Sequence, residues 1–80
     1  MLFRPAQTPI EFINAFRKDQ GAYLRIWRAK AGLSMSEAAK RFGVVRHTWL
    51  NWESNRSEMK VASLTLFMKA WEEMWPALEN

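Results

Sequence analysis

The chain has 80 residues, 49% of them apolar, which is enough for one small domain with a modest core and too few for a second fold or for most enzyme architectures. Twelve Lys and Arg against eight Asp and Glu leave a net charge of +4, favouring an acidic or polyanionic partner over a basic one. With no cysteine there is neither a disulfide nor a thiolate zinc site, so packing has to stabilise the domain and a reducing, cytoplasmic setting is expected.

In chain order, Met1-Leu2-Phe3-Arg4-Pro5 lacks the uninterrupted apolar stretch of a signal peptide. No later window approaches the ~20 apolar residues of a membrane span, so a soluble chain without a membrane partner is expected. Thr8-Pro9-Ile10-Glu11 combines an N-cap residue, a proline at the first helical position and a glutamate three residues after the cap, which predicts a helix over 9 to 18. Its apolar side holds Ile10, Phe12, Ile13 and Phe16, and Asp19-Gln20-Gly21 interrupts the pattern. A second helix over 21 to 31 should bury Leu24, Trp27 and Ala31 and stop at Gly32. Ile26 points away from that stripe and offers the first helix a place to dock.

Ser34 and Glu37 form another capping box. Met35, Ala38, Ala39 and Phe42 then share one side of a helix that Gly43 ends, opposite Ser36, Glu37, Lys40 and Arg41. Residues 46 to 53 place Trp49 and Trp52 three apart, as a half-buried helix does. After a polar stretch from Ser54 to Lys60, a last helix should gather Val61, Leu64, Phe67, Met68, Trp71, Met74 and Trp75 on one broad stripe until Pro76. The expected architecture is all-α, with five helices and no strands.

Residues 35 to 54 satisfy the requirements of a helix-turn-helix, in which two short helices cross closely and the turn between them tolerates positive φ. Ala39 supplies the small side chain, Gly43 the turn, and residues 38, 42, 44, 49 and 52 the shared core. On the wheel of 46 to 53, Trp49 and Trp52 turn inward while Arg46, His47, Leu50 and Asn51 face outward as candidates for reading base edges. Arginine can grip guanine with two donors, asparagine can exchange two bonds with adenine, histidine can donate to guanine or phosphate, and leucine can touch a thymine methyl. Residues 25 to 60 hold eight Lys or Arg against three acids. Lys40, Arg41, Arg56 and Lys60, with Ser36, Thr48 and Ser54 as neutral donors, are therefore the candidate phosphate contacts.

The chain resembles the Cro/cI-type (Xre-like) helix-turn-helix family in Leu24-Arg25, Arg28, Ala31-Gly32-Leu33-Ser34, Glu37, Ala39, Phe42-Gly43-Val44, Arg46, Thr48 and Trp52-Glu53. The resemblance covers about residues 22 to 71. It divides the chain into an N-terminal extension with an extra helix, 1 to 20, and a lambda-repressor-like DNA-binding domain, 21 to 80. It also implies a structural ion pair between Arg28 and Glu53, against the alternative of two solvated charges. The chain departs from the family at Met35, where a glutamine is common, at Val45 in place of a capping serine, and at Ser54-Asn55 in place of Asn-Gly. Thr48 could instead satisfy a backbone group at the start of its helix, and Asn55 can adopt a left-handed conformation.

The resemblance implies a transcriptional regulator of a bacterium, phage or mobile element that represses by occlusion, a homodimer on an inverted repeat in double-stranded DNA. Trp71, Met74 and Trp75 are the candidate dimer interface; the other reading is that they roof the monomer's core. Two rival functions use the same fold: an antitoxin that binds a toxin as well as DNA, and a scaffold for protein contacts alone. No catalytic set, cofactor site or metal site emerges, since His47 is the only histidine and has no carboxylates placed beside it.

Overall fold

The computed structural model describes residues 8–74, and every regular element among them is helical: α1 (Pro9–Lys18), α2 (Gln20–Ala31), α3 (Met35–Arg41), α4 (Arg46–Glu53) and α5 (Val61–Met74). Local capping explains most of the boundaries. Thr8 Oγ1 accepts from the Glu11 N–H at 3.2 Å while Glu11 Oε1 accepts from the Thr8 N–H at 3.1 Å. The same reciprocal pair closes the start of α3, between Ser34 and Glu37, at 3.1 and 2.8 Å. Each such cap stabilises its helix by about 1 kcal/mol.

Between α1 and α2 the interruption is a single residue. Asp19, at φ −155° and ψ 74°, ends α1 and caps α2 by accepting from the Ala22 N–H at 3.2 Å, so α2 begins at Gln20, one residue before the predicted start. Its other end is Gly32, past which the Leu33 N–H returns to the Arg28 carbonyl at 3.1 Å. Gly43 takes a φ of 68° in the turn from α3 to α4, where a side chain would strain the backbone.

The core is dominated by aromatic rings in two connected groups. Phe12 and Phe16 of α1 lie edge-on to Tyr23 at 5.6 Å each, and Tyr23 lies 5.0 Å from Trp71. Trp27, Phe42, Trp49 and Trp52 form the second group, beneath α3 and α4, with successive centroids 5.3 to 5.8 Å apart. Phe67 joins them, 5.3 Å from Phe16 and 6.0 Å from Trp27. Such pairs add about 0.5–1.5 kcal/mol each beyond simple burial.

Several expected contacts differ. The α1 phenylalanines meet Tyr23, which the predicted α2 stripe leaves out, while Ile26 is half-buried at the margin of the core and Ala31 is also half-buried. Ile10 and Val61 stand in the first turns of their helices and are 72% and 74% exposed, because packing begins further along, at Phe12 and Leu64. Trp71 is only 1% exposed, held among Phe12, Tyr23 and Phe67, which is the core-roofing reading for this residue. Met74 is half-buried beside the core. Trp75 and Pro76 lie outside the described residues, as do the first seven positions.

Candidate nucleic-acid interface

Helices α3 and α4 cross with Ala38 and Ala39 fully buried between them, and the Val44 N–H closes the turn onto the Ala39 carbonyl at 3.0 Å. On α4, Trp49, Trp52 and Glu53 are buried, Arg46 and His47 are exposed, and Leu50 and Asn51 are half-buried. The α1 rings pack toward Tyr23, Phe67 and Trp71, leaving Arg46 and His47 exposed at the outer end of α4. Val45 precedes α4 with no side-chain cap, and Thr48, expected to help there, contributes only its backbone N–H, to the Val45 carbonyl at 3.0 Å. The first N–H groups of α4 therefore lack side-chain acceptors, in the turn that carries Arg46 and His47.

The inner end of α4 is tied down by a carboxylate. Glu53 is 3% exposed and accepts from Arg28 Nε at 2.6 Å and Arg28 Nη2 at 3.2 Å, a two-pronged ion pair. The Trp49 indole N–H donates to the same carboxylate at 2.5 Å, and Arg28 Nη1 also reaches the Leu33 carbonyl at 3.3 Å. Arg25 Nη1 donates to the Glu53 backbone carbonyl at 2.7 Å, so two arginines of α2 hold the last turn of α4. These bonds set the angle at which α4 leaves the body of the domain.

A second set of ties holds the loop after α4, and the sequence pattern does not reveal it. Gln20 is buried and donates to the carbonyls of Trp52 at 3.0 Å and Ser57 at 2.8 Å, while its own carbonyl accepts from the Met59 N–H at 2.9 Å. Met59, within the polar stretch, is buried as a result of this folding back. Asn55, at φ 62°, accepts from the Gly21 N–H at 2.9 Å and donates to Asp19 at 3.1 Å. That donor and the Ala22 N–H hold the Asp19 carboxyl below its ordinary value. The Ser34 caps do the same for Glu37, whereas burial raises the Tyr23 phenol. At Gly21 a Cβ would lie 2.1 Å from the Glu53 carbonyl oxygen, so the backbones of α2 and α4 come closer than any larger residue permits.

Of the candidate phosphate contacts, Ser36, Lys40, Arg56 and Lys60 are exposed and Thr48 is half-buried. Arg41 is exposed at the edge of a groove of about 230 Å³ between α3 and α5, with Trp27, Phe42, Leu66, Lys69, Ala70 and Glu73. Ser54 is exposed, and its hydroxyl donates to the Leu50 carbonyl at 2.9 Å at the end of α4. Among the described residues no group of three His, Cys, Asp or Glu could hold a metal, and no helix is long and apolar enough to cross a membrane. No family model, curated protein or solved structure matches the chain.

Proposed function

We propose that this chain is a sequence-specific double-stranded DNA-binding regulator of the helix-turn-helix type, with α4 laid in the major groove. Arg46, His47, Leu50 and Asn51 read base edges, and Ser36, Lys40, Arg41, Thr48, Arg56 and Lys60 contact the flanking phosphates. The observation that carries this reading is the exposure of Arg46 and His47 on a helix whose opposite side is anchored by Trp49, Trp52 and Glu53. A rigid support with free polar ends is what base readout needs, because a loosely held helix loses register along with its hydrogen bonds. The role is binding without catalysis, in the cytoplasm and on the nucleoid.

The family resemblance adds repression by occlusion from a homodimer, whose two α4 helices would meet successive major grooves about 34 Å apart. Trp71 lies inside the monomer and does not itself supply the dimer contact. A second reading, an antitoxin that also binds a toxin, draws on the groove beside Leu66, which is 57% exposed next to Phe42 and Ala70. Selection of bound fragments from random duplexes tests the first reading. A recovered motif is expected, palindromic for a dimer, and Arg46→Ala should weaken binding by about 1–3 kcal/mol and relax one position of the motif. Recovery of no motif at low salt would overturn it.

A further inference from the structure

A polar recess of about 210 Å³ lies between the end of α1 and the loop after α4, lined by Arg17, Lys18, Gln20, Asn55, Ser57 and Glu58. Gln20 and Asn55 are already committed through both their amide nitrogen and their amide oxygen. Arg17 is not: its Nη1 is buried and has no hydrogen-bond partner among the described residues. Arg17 lines the recess with no acid paired to it among the described residues, and such a cation favours an anionic acceptor. Lys18 is exposed at the same recess, and the one acid in the lining, Glu58, is exposed and unpaired with either cation among the described residues.

We propose that this recess holds one backbone phosphate of the duplex, with Arg17 and Lys18 as charged donors and the Ser57 hydroxyl as a neutral one. The inference rests on the DNA-binding reading and extends it, since it brings α1, which lies outside the helix-turn-helix, into the interface. The position supports DNA as the source of the phosphate. Asn55 and Ser57 lie in the loop after α4 and flank the exposed Arg56, so a strand whose phosphate is held by Arg56 would run beside the recess.

The test is the salt dependence of duplex binding by the full chain. Loss of one phosphate contact lowers the slope of log affinity against log salt by about 0.9. Arg17→Gln with Lys18→Gln should therefore show that decrease, equally on all sequences; Lys18→Gln alone, at an exposed site that leaves folding intact, should show part of it. An unchanged slope in both variants, with Arg46→Ala still weakening the wild-type complex, overturns this inference and leaves the proposed function standing. Failure of the wild-type chain to bind any duplex at low salt overturns both. Titration with inorganic phosphate, followed at the Ser57 amide and the Arg17 guanidinium by NMR, separates the sources. Saturation there with an unchanged DNA slope makes the recess a free-anion site and rejects the DNA assignment.

Discussion

Glu53 is a buried carboxylate with two Arg28 donors on one side and the Trp49 indole on the other. Removing it leaves a guanidinium and an indole N–H without their acceptor, which is the costly way to break a buried pair. Glu53→Ala should lower stability by about 3 kcal/mol in urea unfolding, several times the effect of a surface Glu→Ala change, with altered Trp49 fluorescence in the folded state. A melting temperature equal to wild type would reject a structural role for the pair. The family resemblance could nominate Arg28 and Glu53 as partners. It could not nominate Trp49, because an inward tryptophan is read as bulk until its N–H is seen to face a carboxylate.

Among the elements, α4 and the loop after it are positioned chiefly by α2, through Arg25, Arg28, Gln20 and the Gly21 backbone. Gln20→Leu keeps most of the volume and deletes three hydrogen bonds, leaving buried backbone groups of Trp52 and Met59 without a partner. A loss of about 1 kcal/mol per bond is expected, with faster hydrogen exchange at the Met59 amide than at amides of α3. Uniform exchange throughout the domain would show that Gln20 contributes only to global stability. The Asp19 carboxyl adds a pH dependence to the same region. Its folded pKa lies below the ordinary 3.8, so its contribution is present above that value and disappears as pH falls through the folded pKa. Acid titration should release the Asn55 side-chain amide signal from its bound position while the indole signals of Trp49 and Trp52 stay in place. Asp19→Asn, which removes the titrating group and keeps the reporter, should abolish that step.

For the whole molecule the decisive side chain is Phe67, which links the ring group under α1 to the ring group under α3 and α4. A chain of 80 residues has a small margin of stability, typically about 5–15 kcal/mol. Phe67→Ala should remove about 3–5 kcal/mol of it. Because the two ring groups meet there, unfolding should remain a single transition when followed by near-UV circular dichroism and by tryptophan fluorescence. Two separate transitions would mean that α1 is an independent appendage.

Helix starts and stops were legible from neighbouring residues alone, because a Thr8–Glu11 or Ser34–Glu37 cap and a Gly32 or Gly43 stop act within one turn of the backbone. The inward face of α4 was legible for a related reason, since Trp49 and Trp52 have one energetically acceptable direction to point, whereas Leu50 and Asn51, expected to face outward, are half-buried. Contacts between distant parts of the chain were not. Whether Trp71 met solvent, a second copy or the core depended on where α1 came to rest, and the polar run around Met59 gave no sign of the buried Gln20 waiting 39 positions earlier. Periodicity reports the side on which a helix is apolar, but only the assembled chain decides which surface arrives to cover it and which polar groups are desolvated on the way.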